Sequence, residues 1–380
     1  MQKKSVILTI MLVVMVVISM TGCAAKAEEA PAVVETEAAE VAATEAPVAA
    51  EAEAAPLKVA FIPNQRLGDG GPVDGMVEGL DRAVADFGIE AKKLESIDAA
   101  GFEDDIRAMA GEGYDLIITT FGYMQEPMIT VAQEYPDTLF AGVYQDTNLA
   151  DPIISNVWGT SFQGGATFYV TGYLAGMISK TGKIGMIPGA EEPGPNSESN
   201  AFMQGVKAAN PDATVEFAFV GSYEDPAKAK EIAAAMIADG VDVIQGDAGS
   251  TDEGIIEAAK ENGKVVVFSC VNDYYGVYDY FAGTIRLGFG DTVYDAIKMA
   301  VAGEFPGGTN GLRDITNNGY YIEWSGFEDF AANNPDFGEA MTAALPEAKA
   351  IEAKFLDGTM VDNYDTETPS WDRIKETPYE

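Results

Sequence analysis

Apolar and polar positions alternate in two distinct rhythms along most of this chain. Short apolar runs at Lys58–Pro63, Asp115–Thr119 and Thr138–Val143 predict strands. Between them, Val73–Phe87, Phe102–Gly111 and Glu126–Glu134 carry apolar residues at three- and four-residue steps, the spacing of helices that bury one face. The rhythm then restarts. Ile184–Ile187, Val215–Val220, Val241–Ile244 and Val265–Phe268 predict strands, and Ser197–Asn210, Pro226–Asp239 and Asp252–Asn262 predict helices between them. Strands rich in Val and Ile that alternate with helices predict parallel sheets covered on both faces. Two such runs predict an α/β chain with two doubly wound lobes. Ligands of such sheets bind beyond the carboxyl ends of the strands, so the expected site is the cleft between the lobes. The expected boundaries are about 57–160 plus 286–305 for the first lobe and about 161–285 plus 319–356 for the second, joined by a hinge.

The first residues follow a different pattern. Lys3 and Lys4 precede an almost wholly apolar run from Val6 to Met20, and Thr21-Gly22-Cys23 follows. That order of positive start, apolar core and small-residue cut site marks a secretory signal over residues 1–22. The run is shorter than the roughly 20 residues that span a bilayer. Residues 24–56 are dominated by Ala, Glu, Val, Thr and Pro, with eight glutamates and no aromatic residue. This composition predicts a disordered acidic spacer. A flexible chain of that length spans roughly 30 Å root-mean-square.

Charge narrows the partners. The chain carries 61 acidic and 23 basic residues, a net charge of −38. Phosphate binding needs a basic face, so nucleic acid is excluded as an expected partner. The two cysteines leave Cys270 without a partner if Cys23 is modified, and Cys270, after the run Val265–Ser269, is expected to be buried. With no histidine, His-based triads, His metal sites and the usual general base near neutral pH are absent.

Several short motifs lie on the predicted elements in a consistent order. They begin with Lys58-Val59-Ala60-Phe61, Glu78-Gly79-Leu80 and Gly113-Tyr114-Asp115-Leu116-Ile117-Ile118. Glu134-Tyr135-Pro136-Asp137, Ala175-Gly176-Met177 and Lys180-Thr181-Gly182-Lys183-Ile184-Gly185 follow. Val220-Gly221-Ser222-Tyr223-Glu224-Asp225, Ala227 to Ala233, Asp247-Ala248-Gly249 and Ala258 to Lys264 complete the series. Together, over about residues 57–305, they resemble the basic membrane protein family of substrate-binding lipoproteins that serve ABC importers. Met20-Thr21-Gly22-Cys23 likewise resembles a lipoprotein signal, which implies a lipid on Cys23 and attachment to the outer face of the cell membrane. The resemblance implies a type I periplasmic-binding-protein fold, a nucleoside or related aromatic ligand, ABC permease subunits as partners, a monomer, and no cofactor or metal.

In nucleoside-binding relatives, aromatic rings sandwich the base while polar groups hold the ribose. Carried over by position, Tyr223 takes the place of a stacking ring, and packing at a strand end would suit it equally. Gly249 falls in a turn where relatives let the ligand approach the backbone, and a strand-to-helix turn needs the same glycine. Asn272 and Asp273 lie where relatives bind the sugar, with Tyr274 and Tyr275 as neighbouring aromatic candidates; a solvated turn is the other reading. Arg286 lies near a ribose-binding lysine of relatives, or forms an ion pair. The first loop, Asn64 to Asp74, lacks the family's phenylalanine. Asp69 and Asp74 could reach a ligand or serve a helix N-terminus. Phe121 and Tyr123, after the Ile117-Ile118 strand, could supply the missing ring, with Glu126 close by at a helix start.

Other motifs fall away. Lys180-Thr181-Gly182-Lys183 lacks the earlier glycine and the following Ser or Thr of a phosphate loop. Gly68 to Gly71 breaks the dinucleotide spacing, and Asp247 to Glu253 does not have calcium-loop spacing. The expectation is therefore a non-enzymatic, membrane-anchored solute-binding protein of an ABC importer. The alternatives are a different cargo such as a sugar, a vitamin-like ring or a signal molecule; a sensory lipoprotein; and a surface glycoside hydrolase using paired carboxylates.

Overall fold

The structure, a computed structural model, describes residues 55–68, 71–146 and 154–374. Cys23, residues 24–54 of the acidic spacer and Asp69 lie outside the described residues. In chain order the elements begin with β1 (Lys58–Ile62), α1 (Pro72–Phe87), β2 (Glu90–Lys93), α2 (Phe102–Gly111), β3 (Leu116–Thr120), α3 (Gln125–Glu134), β4 (Leu139–Val143) and β5 (Val157–Phe162). Next come α4 (Gly165–Ile178), β6 (Lys183–Pro188), α5 (Pro193–Ala209), β7 (Thr214–Phe217), α6 (Pro226–Ala238), β8 (Val243–Asp247), α7 (Asp252–Asn262), β9 (Val266–Cys270) and β10 (Phe281–Leu287). The last are α8 (Phe289–Ala302), β11 (Thr309–Arg313), β12 (Tyr320–Ile322), α9 (Trp324–Asn333), α10 (Gly338–Leu356) and α11 (Trp371–Ile374).

The strands form two six-stranded sheets, ordered β11-β5-β4-β3-β1-β2 and β12-β10-β9-β8-β6-β7. Every pairing is parallel except β10 with β12. Both sheets thus repeat one doubly wound order, and each makes one lobe. The central strands are buried along their length; Leu116, Ile117 and Ile118 of β3 are wholly inaccessible. This follows from helices on both faces. α2 and α3 cover one face of the first sheet over Ile106, Met109, Met128 and Val131. α6 and α7 cover one face of the second over Ala229, Ala233, Ile255 and Ala259. The other faces share a larger core with α1, α4, α5, α8 and α10.

The chain passes between sheets three times: after β5 into α4, after β10 into α8, and from β11 to β12. α8 packs on α1, whereas α4 packs on α5 and α10. These crossings place the carboxyl ends of both sheets toward one another. No helix among the described residues is long and apolar enough to cross a membrane.

The sequence reading and the structure differ mostly at element ends. β7 ends at Phe217, short of the expected Val220, although the Ala218 and Val220 amides still donate to the Met186 and Pro188 carbonyls of β6. α5 begins at Pro193 rather than Ser197, and Pro195 is tolerated there because first-turn amides need no helical partner.

α4 and α5 pack backbone against backbone. A Cβ on Gly205 would lie 2.0 Å from the Tyr169 carbonyl oxygen, and one on Gly172 would lie 2.1 Å from that of Phe202. Overpacking of this kind costs about 1–3 kcal/mol, partly offset by roughly 1 kcal/mol of helix propensity. Gly205→Ala is expected to lose about 2 kcal/mol net. The urea midpoint checks this; an unchanged midpoint would mean that the two helices part without penalty.

Candidate functional site

Three carboxylic acids meet at the carboxyl ends of β8 and β9. Asp247 ends β8, Asp252 opens α7, and Glu198 comes from α5; their accessibilities are 9%, 0% and 4%. Burial of so many acids is unusual and requires partners or protons. Asp252 has its partners: it accepts from Ser269 Oγ at 3.0 Å and from the Ala248 amide at 3.1 Å. Burial still pushes its carboxyl up to about 7 against those bonds. It ties the turn after β8 to β9.

Glu198 and Asp247 work as a pair. Glu198 Oε1 accepts from the Tyr320 hydroxyl at 2.6 Å. Burial raises both carboxyls, and the Glu198 charge raises Asp247 further, whereas hydrogen bonds from Asp247 and Tyr320 favour the Glu198 carboxylate. The arrangement keeps the proton on Asp247 and the charge on Glu198. Asp247 Oδ2 is buried without a hydrogen-bond partner among the described residues, as is Asn272 Oδ1 beyond the end of β9. Cys270, at the same end of β9, is 2% exposed, and burial followed by Asp247 raises its thiol.

Aromatic rings enclose the acids from both lobes. Tyr144 follows β4 of the first sheet, and its hydroxyl reaches α5 of the second, where a Cβ on Gly194 would lie 2.5 Å from it. Its pKa rises through burial and then through Glu198 and Tyr223. Tyr223, 37% exposed overall, sits on Gly189, whose added Cβ would lie 2.4 Å from its ring, and its partial burial followed by Asp247 raises its hydroxyl as well. Phe289, at the crossing between lobes, packs edge-on to Tyr144 at 6.0 Å and to Phe121 at 5.8 Å. It also lines an open cavity of about 510 Å³ bounded by Gly71, Gly75, Val271, Asp273 and Arg286.

Backbone strain collects at the same strand ends. Phe121, Tyr144 and Val271 hold φ of 57°, 59° and 73° after β3, β4 and β9. These are uncommon conformations for bulky residues, and such strain gathers at binding and catalytic sites. Arg286 holds the Val271 carbonyl through Nη1 at 2.7 Å, while bonding Glu323 at 2.7 Å and Asp273 at 2.9 Å.

The residues expected from sequence therefore scatter. Tyr223, Asn272 and Phe121 come to the cleft side, and Asp273 and Arg286 line the neighbouring cavity. Arg286 spends three nitrogens on protein groups, so its main work is holding the strained Val271 turn. Asp74 closes the first loop by accepting from the Gly68 amide at 2.8 Å. Gly249 has φ of +59° with open space around its Cβ direction, so it serves the turn. Tyr275 packs on Phe281 at 4.9 Å and against Gly326, away from the acids. Tyr123 is 79% exposed, and Glu126 is exposed in the first turn of α3. Asp69 lies outside the described residues.

Sequence reasoning missed Glu198, Tyr144 and Tyr320, and treated Asp247 only as part of a motif. The sequence shows a polar run around Glu198, and only the structure shows that it is buried. Asn196, Ser197, Glu198, Ser199 and Asn200 form a polar run in which every residue is buried. Such a run, following a strand end of a parallel sheet, points into a ligand crevice.

Residues 57–334 match the family described as ABC transporter substrate-binding protein PnrA-like. The chain belongs to this Bmp family. Basic membrane protein A of Borreliella burgdorferi is 30% identical over 207 residues, covering 54% of this chain and 60% of that protein. The nucleoside-binding protein of an ABC transporter from Lactococcus lactis is 29% identical over 244 residues, covering 60% and 68%. A purine-binding protein of Brucella abortus is 34% identical over 177 residues, covering 46% and 48%. The aligned part thus spans about three-fifths or less of the Borreliella and Brucella relatives. A solved ABC-transporter solute-binding protein from Aeropyrum pernix shares the fold, with a TM-score of 0.69, 22% identity and coverage of 84% and 97%. Another, from Conexibacter woesei, has a TM-score of 0.65, 24% identity and coverage of 81% and 99%. The Bmp fold places the acids and rings described above between its two lobes.

Asp252 offers a pH test. Its carboxyl titrates near 7 when folded and near 3.9 when unfolded, so the folded state holds the extra proton between those values. Its contribution is fully present below pH 3.9 and is lost as pH rises through 7. Asp252→Asn removes that dependence. The wild type is expected to lose about 2–3 kcal/mol more than the variant between pH 5 and pH 8. Denaturant titrations at the two pH values measure the difference, and parallel slopes would refute it.

Proposed function

We propose that the chain is the extracytoplasmic ligand-binding component of an ABC importer, lipid-anchored at Cys23, and that it binds a nucleoside or related aromatic molecule between its lobes. The observation that carries this reading is the combination at the cleft of aromatic rings from both sheets with acceptor-rich, buried acids. Tyr144, Phe121 and Phe289 stand with the first sheet's strand ends, and Tyr223 and Tyr320 with the second. Flat rings suit a base, and each stacking partner contributes about 1–3 kcal/mol in comparable systems. The carboxylate of Glu198 and the free oxygens of Asp247 and Asn272 suit the N–H and O–H donors of a base edge or a ribose. The nucleoside-binding relative of Lactococcus and the purine-binding relative of Brucella support the same reading.

The mechanism is capture and closure. Ligand enters between the sheets, the three crossings bend, and the closed form is presented to a permease. The acids act as hydrogen-bonding groups, and no step requires proton transfer to the ligand. The spacer of residues 24–56 holds the lobes near the importer, and tethering raises their local concentration.

Mass spectrometry of small molecules released from the purified, denatured protein is expected to yield a nucleoside, with a matching thermal shift on adding it back. Asp247→Ala and Tyr223→Ala are each expected to weaken binding by about 10- to 100-fold. Release of a sugar instead, or unchanged titration heats in both variants, would remove this reading.

A further inference from the structure

The segment after α10 lies beyond the residues that match the Bmp family, yet it is bound into the site. From Asp357 the chain runs to α11 as a strap across the amino-terminal ends of α4 and α5. Asp362 Oδ2 accepts from the Ala166 amide at 3.0 Å. Asn200 Nδ2 donates to the carbonyls of Asp365 and Glu367, both at 2.8 Å, and Asn196 Nδ2 donates to that of Thr366 at 3.0 Å. Thr368 Oγ1 donates to Glu191 at 2.7 Å. Arg373 ties the far end, donating to Asn200 Oδ1 at 2.6 Å and pairing with Asp365. Ile374 is wholly buried.

All these fastenings are to the second lobe. The strap's path brings it past the acid pair. A Cβ on Gly165 would lie 2.5 Å from the Asp362 carboxylate, and one on the adjacent Gly164 would lie 2.8 Å from Glu198 Oε1. Asp362 and Glu198 therefore sit over neighbouring residues of one turn. Asn196 and Asn200, which grip residues 365–367, flank Glu198 on α5.

Between these anchors the backbone is forced. Tyr364 has φ of 43°, and its amide donates to Asp362 Oδ1 at 2.9 Å. Its side chain is only partly exposed. After burial, the charges that shift its hydroxyl upward are Glu198 of the second lobe, Asp146 of the first, and Asp362. Tyr144 of the first lobe is in turn shifted by Tyr364 among others. Asp146 is held by Asn310 of β11 at 2.9 Å. Tyr144 of the first lobe reaches Gly194 of α5, two residues before the Asn196 that holds Thr366, so the strap passes the point where the first lobe meets the second.

We infer that the strap completes the binding site: fastened to the second lobe beside Glu198, and close to the point on α5 that Tyr144 reaches, it walls the cleft on that side, with Tyr364 at its forced bend. The strap travels with α4 and α5, so opening withdraws it from the first lobe and exposes the acid pair. Its ligand class, a flat nucleobase bearing a sugar, rests on the functional reading above. The placement of the strap does not.

Two measurements on the purified full chain separate the two. The first titrates guanosine, adenosine and inosine into wild type, Tyr364→Ala and Tyr364→Phe, with stopped-flow dissociation rates and melting temperatures alongside. Tyr364→Ala is expected to raise Kd about tenfold, mainly through faster dissociation, with Tyr364→Phe between it and the wild type. Unchanged Kd and dissociation rate in Tyr364→Ala would overturn the inference, whatever the melting temperature does. The second uses no ligand. Hydrogen exchange at the Ala166 amide, which the strap covers whether the cleft is open or shut, is expected to quicken in Tyr364→Ala, because the bend that sets Asp362 on that amide relaxes. If the wild type binds no nucleoside, the functional reading fails and the exchange result alone decides the strap: faster exchange upholds it, and unchanged exchange overturns it.

Discussion

Everything at the centre of this protein follows from one electrostatic constraint: a pair of carboxyls has been taken out of water where two sheets meet. Two bare charges in that setting would cost far more than any single contact returns. The pair meets the constraint by keeping its proton on Asp247 and surrounding the Glu198 charge with the Tyr320 hydroxyl and the Asp247 donor. That solution demands enclosure, and enclosure demands groups from both lobes. Tyr144 provides it from the first lobe, and Tyr223 and Tyr320 from the second.

The rigid sheets make the enclosure possible, and the strained strand ends aim it. Phe121, Tyr144 and Val271 leave their strands with positive φ, which turns their chains abruptly inward. Such conformations persist only when neighbours over-determine them. Arg286 does so for Val271 by holding its carbonyl and anchoring itself on Glu323 and Asp273. Gln145 does so for Phe121, donating to its carbonyl at 2.9 Å while exchanging bonds with Thr119.

The fold was legible in the sequence because period and composition determine it. Leu116–Ile118 can only be a doubly covered strand, and Val73–Phe87 only a one-faced helix, so the two-lobed α/β plan follows. Element ends were less legible, because β7 and α5 stop and start where loops and prolines compete. Of the candidate site, Tyr223 and Asn272 were singled out beside known motifs, and the structure puts both on the cleft side. Glu198 was hidden because a glutamate in a helix is most often solvated, and only its burial beside Asn196 and Asn200 changes its meaning. Arg286 forms the ion pairs that were its other reading, and a donor's partners belong to tertiary structure. Phe121 and Tyr144 could not be ranked, because backbone strain leaves no mark on residue type.

The acid pair also has a consequence for what the cleft will refuse. The chain is strongly anionic overall, and the groups around Glu198 and Asp247 are further acids, phenols and a thiol. A phosphate ester would approach through a repulsive field and end against carboxyls, gaining no charge partner there. An uncharged molecule of the same outline would feel neither penalty, and its rate of capture would scarcely depend on salt. For the ligand proposed above, the interior carboxyls would favour the dephosphorylated form by charge, before shape is tested.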